Sequence, residues 1–291
     1  MLLVIFFTFI IKSLVANNDN SSSGMMSKFM MQLKDIERYE FSENHIIEKL
    51  KGKTINIKIG VYNSDPHRFH SFGTHKHFWI EFDPLSTFSM TNNSMILPFI
   101  VTPYNVTHSN FYRCDMGACS SIYLPSGNFP NYTIPEMKNY MIESCNKINS
   151  PIKLWDTSSN ISHTIMYALT SSLACYNKSL YDKPKVYPSI ALHSILDWIP
   201  SVVNYLDIDA QGADLPLLLS IKNYLSKIRH IKVECQKQPG YYLYANDVPN
   251  ECNNVISFLQ NNSFALKELE VNNCGISEFN GFFTNKNLQK N

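Results

Sequence analysis

The chain has 291 residues, of which 44% are hydrophobic, and its formal net charge at neutral pH is +1. This length suits one α/β domain or two small ones, and the hydrophobic content is ordinary for a globular protein. The near-zero charge provides no basic field for nucleic acid or for an anionic membrane surface, so we expect neither partner.

An apolar run opens the chain, from Leu2 to Ile11, and is followed by Lys12, Ser13 and Ala16 and then by a polar stretch over 17–24. An apolar run of about ten residues suits a secretory signal and is short for a membrane span of about 20 residues. We predict a signal peptide over 1–16, a polar disordered segment over 17–24 and one α/β domain over 25–291, with no stable membrane span. An uncleaved anchor is the alternative, because a basic n-region is missing.

Seven glycosylation acceptors of the form Asn-x-Ser/Thr are spread along the chain, which favours a secreted or luminal glycoprotein. They are Asn20, Asn92, Asn105, Asn131, Asn160, Asn177 and Asn261. In an oxidising compartment the seven cysteines predict disulfides with one cysteine left over. The pairs we expect are Cys119 with Cys145, and Cys235 with Cys252 across a hairpin, although spacing alone leaves the connectivity open.

The first predicted elements are two N-terminal helices over 25–53, the second running from about Glu43 to Lys51 and ending at Gly52. Three alternating isoleucines over 55–59 then predict a strand that ends at Gly60.

A second predicted strand over 78–84 carries two acidic residues, Glu81 and Asp83. In a nucleotide-binding βαβ unit, a glycine after the first strand lets the backbone approach the ligand. An acidic residue about 20 positions further along the chain accepts hydrogen bonds from the ribose hydroxyls. Gly60 and Asp83 have this spacing, and Glu81 is the second candidate for the acid. Four histidines in the intervening loop lack a carboxylate or cysteine that would complete a ligand set, so we predict no metal site.

Further strands are predicted over 96–101 and 110–113, and the loop-rich stretch over 128–185 is interpreted as an insertion. A mostly apolar run over 202–206 then leads into a carboxylate-rich turn, and leucines at helical spacing follow the turn. This pattern predicts a buried strand, a tight turn and a helix. The turn after a strand is where open α/β sheets bind ligands, so Asp209 is either a chemical group or a paired buried acid. We expect Asp214 to cap the helix and Gly212 to permit the turn.

Beyond this helix, residues 231–234 predict a strand that ends in Glu234. A strand over 241–244, a turn at 246–247, a helix near 255–259 and a strand over 279–284 complete the C-terminal predicted elements.

The central turn resembles the Leu-Lys-Ile-Asp-Val-Glu-Gly-Ala-Glu signature of FkbM-type methyltransferases. The chain retains Leu206, Ile208, Asp209, Gly212 and Ala213, and it has Asp207, Gln211 and Asp214 in place of the signature's Lys, first Glu and last Glu. Phe82-Asp83-Pro84 resembles the family's Phe-Glu-Pro. Of the first-strand motif Asp-x-Gly-Ala-Asn-x-x-Gly only Gly60 remains, and Lys58 replaces its acid.

This resemblance implies a doubly wound, mostly parallel α/β sheet of the Rossmann-like class I methyltransferase type, with S-adenosylmethionine as cofactor. It implies methyl transfer to an oxygen of a small molecule or glycan, and we expect a sugar hydroxyl. Asp209 would accept the proton, with Glu234 as second choice. Gly60 would approach the methionine end, and Asp83 or Glu81 would hold the ribose.

Ser120 and Ser121 resemble a Ser-Ser-Leu element near the family's reaction centre, which implies that they bind the cofactor. The alternative is a turn stapled by Cys119.

Two other classes of protein compete with the methyltransferase. Lys58, Gln211 and the missing glycines favour a secreted binding or structural protein that kept the fold and lost the cofactor. Asp207-Ile208-Asp209 has the Asp-x-Asp form of metal-dependent glycosyltransferases, which would predict manganese dependence.

Overall fold

The structure is a computed structural model that describes residues 50–60, 76–114, 120–124, 182–199, 201–236, 250–271 and 278–288. Within these ranges the strands, in chain order, are β1 (Thr54–Ile59), β2 (His77–Phe82), β3 (Ser89–Met90), β4 (Ser94–Leu97), β5 (Ile100–Thr102), β6 (His108–Phe111), β7 (Lys185–Ala191), β8 (Val203–Ile208), β9 (Ile228–Gln236), β10 (Phe264–Val271) and β11 (Glu278–Asn285). The helices are α1 (Leu192–Trp198), α2 (Asp214–Ser220) and α3 (Cys252–Asn261), with short 3-10 helices at Lys222–Lys227 and Lys286–Leu288.

Eight of these strands form one sheet in the order β10-β11-β9-β8-β1-β2-β4-β3. Strands β4, β2, β1, β8 and β9 are parallel to one another, whereas β11 runs antiparallel between β9 and β10. Counted along the chain, the five parallel strands lie in the spatial order third, second, first, fourth, fifth. The order therefore reverses between β1 and β8, which is the position where doubly wound sheets bind ligands. The expected α/β class with a mostly parallel sheet is confirmed.

One face of this sheet is apolar because strand residues alternate between the two faces. Alternate residues of β1, β2, β4, β8 and β9 join the buried residues of α1, α2 and α3 in a single hydrophobic cluster. The other face carries charged residues near its centre. The described residues place helices against the apolar face, so a doubly wound arrangement with helices on both faces stays a prediction.

The strand predicted over 96–101 is wrong, because the run divides between two sheets. β4 ends at Leu97, the amide of Phe99 donates to the Leu97 carbonyl at 2.8 Å, and β5 begins at Ile100. Pro98 has no amide to continue a ladder, and the Phe99 bond closes a three-residue turn that redirects the chain. β5 then pairs in parallel with β7, and β6 pairs antiparallel with β7, in a separate three-stranded sheet. The strand predicted over 110–113 is β6.

The other predicted elements within the described residues are largely present, with two differences. β9 continues to Gln236, so Glu234 lies within the strand and pairs with Asn280 of β11. β10 was not predicted, because its run Leu266-Lys267-Glu268-Leu269 has no clear two-residue alternation of apolar and polar residues.

The disulfide Cys235–Cys252 is confirmed, but it joins β9 to the first residue of α3 and does not cross a hairpin.

The N-terminal helices lie outside the described residues except at their end. Leu50 is helical, the Lys53 amide donates to the Leu50 carbonyl at 3.0 Å, and Gly52 has a left-handed φ of 69°. Gly52 therefore ends the helix as predicted. Residues 1–24, most of the insertion, the strand and turn predicted over 241–247 and the Cys119–Cys145 pair also fall outside these ranges. No helix in the ranges that the structure describes is long and apolar enough to cross a membrane.

Candidate functional site

The site forms where β1 and β8 end beside each other. Gly60 follows β1, its amide donates to the Phe82 carbonyl at 3.1 Å, and the Asp209 amide donates to the Ile59 carbonyl at 3.0 Å. Gly60 has a φ of 81°, and a Cβ at this position would lie 1.7 Å from the Asp209 carbonyl oxygen. Only glycine fits, because the backbone is left-handed and another backbone occupies the side-chain space. Gly60 and Asp209 therefore lie side by side at the reversal of strand order.

The turn after β8 is held by a buried carboxylate. Asp214 is fully buried, and it accepts hydrogen bonds from the amides of Ala210 at 2.9 Å and Gly212 at 3.0 Å. Its role is therefore not the predicted helix cap. The Leu215 amide of α2 instead donates to the side-chain oxygen of Asn250 at 3.0 Å, and Asn250 also donates to Asp214 at 2.9 Å. Burial raises the pKa of Asp214 to about 7, although the two backbone hydrogen bonds act in the opposite direction.

Gln211 is the residue that brings the two candidate catalytic carboxylates together. Its side-chain amide nitrogen donates to Asp209 at 2.7 Å and to Glu234 at 2.8 Å. Gln211 has a φ of 50°, an uncommon conformation for a residue with a side chain, and Gly212 follows at 95°. The predicted freedom of Gly212 is confirmed. The left-handed backbone at Gln211 is a local strain that the surrounding hydrogen bonds maintain.

The two serines of the predicted Ser-Ser element have different contacts. Ser121 is buried, and its hydroxyl donates to the Gln211 carbonyl at 2.6 Å while accepting from the Tyr123 amide at 3.0 Å. The Ser120 hydroxyl accepts from the Cys114 amide at 3.0 Å. Ser121 therefore contacts the central turn, and Ser120 supports its own loop.

Asp83 and Glu81 occupy different positions relative to Gly60. Asp83 follows the last residue of β2, on the strand next to β1, and its carboxylate accepts from the Leu85 amide at 2.9 Å and the Ser86 hydroxyl at 2.6 Å. These bonds fix the carboxylate and leave it further lone pairs. Glu81 is the penultimate residue of β2, and burial raises its pKa. The structure thus brings Asp83 to the edge with Gly60 and keeps Glu81 within the sheet.

A row of alternating charges crosses the polar sheet face directly inside this edge. In register across β2, β1, β8 and β9 lie Glu81, Lys58, Asp207 and Lys232. Asp207 is 1% exposed and forms an ion pair with Lys232 at 3.5 Å. Burial raises the pKa of Asp207 and the two lysines oppose this, whereas burial lowers the pKa of Lys58. Sequence reasoning missed this row, because it depends on the register of four strands.

The part of the chain that the structure describes contains no group of three or more histidine, cysteine or carboxylate side chains placed to hold a metal ion. His67, His70 and His75 of the predicted histidine loop lie outside it. Asp207, the first acid of the Asp-x-Asp sequence, is paired with Lys232 in the sheet.

Comparison of the chain with protein-family profiles, with curated proteins and with solved structures found no match.

Proposed function

We propose that the chain is an S-adenosylmethionine-dependent methyltransferase that acts on an oxygen, with a sugar hydroxyl as the acceptor class. The observation that carries the proposal is the left-handed Gly60, packed against Asp209 at the reversal of strand order. In doubly wound sheets this crevice receives nucleotide cofactors, and Gly60 allows the ends of β1 and β8 to meet there. The cofactor itself is inferred from the resemblance in sequence.

The charges at the edge favour this cofactor over a dinucleotide. Three carboxylates lie along this edge near Gly60: Asp83 and Asp209 follow the ends of β2 and β8, and Glu234 lies within β9 at the level of Asp209. They would repel a pyrophosphate, and they attract the sulfonium and ammonium charges of S-adenosylmethionine. The chain also lacks the Gly-x-Gly-x-x-Gly sequence that binds a pyrophosphate.

The two departures from the family resemblance at the strands are also related. Lys58 stands where the resemblance has an acid, and Asp207 stands where it has a lysine, and the two residues are register partners on β1 and β8. The pair therefore keeps one positive and one negative charge in reversed positions. This exchange preserves the charge pairing between the two strands, so it is compatible with a retained arrangement of β1 and β8.

The residues at the edge fit the cofactor in the following way. Gly60 would bring its backbone to the methionine end of the cofactor. Asp83 would accept hydrogen bonds from the ribose hydroxyls, using the carboxylate lone pairs that the bonds from Leu85 and Ser86 leave unused. When bound, S-adenosylmethionine supplies a methyl group on a positively charged sulfur. Positioning the acceptor oxygen in line with that methyl group provides much of the rate.

Asp209 would act as proton acceptor, and Glu234 is the second choice. The carboxylate would take the proton of the acceptor hydroxyl, and bound S-adenosylmethionine would supply the methyl group that replaces it. Gln211 orients both carboxylates by donating to each of them. An acceptor within hydrogen-bond reach of the hydroxyl is what the reaction requires.

A second candidate is a secreted binding protein that kept the fold and lost the cofactor. The same Gln211 contacts favour it, because the amide occupies one oxygen of each carboxylate that the reaction would use. In this alternative the polar cluster stabilises the turn after β8 and does no chemistry.

Calorimetric titration of the glycosylated full chain with S-adenosylhomocysteine separates the two candidates. The methyltransferase predicts micromolar affinity, and the absence of heat at millimolar ligand would favour the binding protein. An Asp209→Asn variant keeps an oxygen for Gln211 and loses the proton acceptor. We expect it to bind S-adenosylhomocysteine normally and to lose methyl transfer, and full activity would remove Asp209 from this role.

A further inference from the structure

We propose that Asn250 positions the two candidate acids, Asp209 and Glu234, by holding the turn that carries Gln211. The catalytic purpose of this positioning rests on the proposed function. Asn250 acts through other residues, so it is a positioning residue and not a catalytic one.

Asn250 connects three elements from a buried position, with 1% of its surface exposed. Its side-chain oxygen accepts from the Leu215 amide in the first turn of α2 at 3.0 Å. Its side-chain nitrogen donates to the Asp214 carboxylate at 2.9 Å and to the Glu234 carbonyl of β9 at 3.5 Å. Both ends of the side-chain amide are therefore used, which fixes its orientation between the turn, the helix and the strand.

The backbone around Asn250 is attached to β9 at two neighbouring points. The Asn250 carbonyl accepts from the Gln236 amide at 2.8 Å. Two residues later, Cys252 forms the disulfide with Cys235, which directly precedes Gln236 in β9. These attachments do not involve the turn after β8, so Asn250 is held in place independently of the turn that it contacts. It has the rigid support that a positioning residue needs.

Asp214 connects Asn250 to the turn. Its carboxylate accepts from the amides of Ala210 and Gly212, which lie on either side of Gln211. Gln211 and Gly212 have left-handed φ values of 50° and 95°, and a residue with a side chain keeps this conformation only where its surroundings hold it. With the backbone held, the Gln211 side chain donates to both candidate acids, at 2.7 and 2.8 Å. A continuous series of hydrogen bonds thus runs from Asn250 to the acids.

Hydrogen exchange of individual amides in the full chain tests the proposal without a substrate. The reporter amides are the backbone amides of Ala210 and Gly212 and the side-chain amide of Gln211, which donate to Asp214 or to the candidate acids. The Leu206 amide, in the middle of β8, measures the general loss of stability. We expect Asn250→Ala to lower the protection of the reporter amides at least about tenfold more than that of Leu206, the effect of one lost hydrogen bond.

Asn285→Ala is the matched control. Asn285 is also a buried asparagine, 2% exposed, and its side chain donates to the carbonyls of Leu225 and Ile228 at 3.1 Å each. These contacts lie at the start of β9, at the other end of the strand from the turn. Asn285→Ala should therefore change the protection of the reporter amides and of Leu206 by the same factor.

Asn250→Asp separates the two contacts of the side chain. It keeps an oxygen for the Leu215 amide and loses the donor to Asp214. We expect the Leu215 amide to stay protected while the reporter amides lose protection. If the reporter amides follow Leu206 in both Asn250 variants, the proposal is overturned.

The wild-type protein provides a test that does not depend on the folding of any variant. The side-chain amide of Asn250 is buried and bonded to Asp214, so it should exchange slowly, and rapid exchange would overturn the proposal. Titration with S-adenosylhomocysteine tests the proposed function separately. Absence of heat at millimolar ligand would remove the catalytic purpose of the turn, whereas the exchange measurements alone decide whether Asn250 holds the acids.

Discussion

Replacement of Gly60 by alanine tests the packing of β1 against β8. The new Cβ would lie 1.7 Å from the carbonyl oxygen of Asp209 and 2.7 Å from its carbonyl carbon, and both atoms belong to backbone. The two strand ends must separate, which weakens the hydrogen bond from the Asp209 amide to the Ile59 carbonyl. Overpacking costs about 1–3 kcal/mol, a lost hydrogen bond about 1, and a left-handed alanine about 1–2. We expect Gly60→Ala to lower the free energy of unfolding by about 4 kcal/mol in urea denaturation.

Gly52→Ala is the matched control for backbone strain. Gly52 has a left-handed φ of 69°, close to the 81° of Gly60, but a Cβ there would have no atom within 4 Å. Gly52→Ala should therefore lower the free energy of unfolding by only about 1 kcal/mol. The difference between the two variants isolates the contact with Asp209, because the effect of alanine on the unfolded chain is similar in both. A difference below about 1 kcal/mol would refute the packing of the two strand ends described above.

Three further predictions concern the turn and the disulfide. Burial raises the pKa of Asp214 from 3.8 to about 7, so between these values the folded state retains a proton that the unfolded chain loses. The free energy of unfolding should therefore fall by about 3 kcal/mol as pH rises from 4 to 7. Asp214→Asn should flatten that slope in urea titrations at several pH values, and equal slopes would contradict the prediction. Gln211→Glu keeps the backbone strain but adds a third carboxylate, so it should destabilise the protein by about 2 kcal/mol at pH 7 and less at pH 4. A loss that is the same at both pH values would exclude charge repulsion. The double variant Cys235→Ser, Cys252→Ser opens a loop of 17 residues, and its free energy of unfolding should be about 3 kcal/mol lower than that of the wild-type protein. A reductant that leaves the wild-type stability unchanged would argue against this disulfide.

The elements that sequence predicted well are those with a strong local pattern. The alternating isoleucines of β1 and the glycine that ends it are visible in six consecutive residues, and the apolar run of β8 with its turn is equally local. Position along the chain then places Gly60 and Asp209 at the same edge, because parallel strands of an open sheet end on one side. This much of the candidate site follows from sequence.

The contacts within the site did not follow from sequence, because they depend on strand register. Gln211 was interpreted as a departure from a family pattern, and only the pairing of β8 with β9 shows that its amide reaches both Asp209 and Glu234. Asp214 was expected to cap α2, whereas Asn250, far along the chain, accepts from that helix. The preference for aspartate at the start of a helix cannot show that a side chain from another element already accepts the hydrogen bond of the helix amide.

The register of Lys58 opposite Asp207 has an evolutionary consequence. A change of either residue to the charge of its partner would place two lysines or two aspartates next to each other on adjacent strands, in a half-buried setting where like charges repel strongly. Single substitutions that reverse the charge at position 58 or at position 207 should therefore be disfavoured. Among descendants of a common ancestor, an exchange of charge at positions 58 and 207 should be accompanied by changes at their outer register neighbours Glu81 and Lys232, or all four positions should keep their charges.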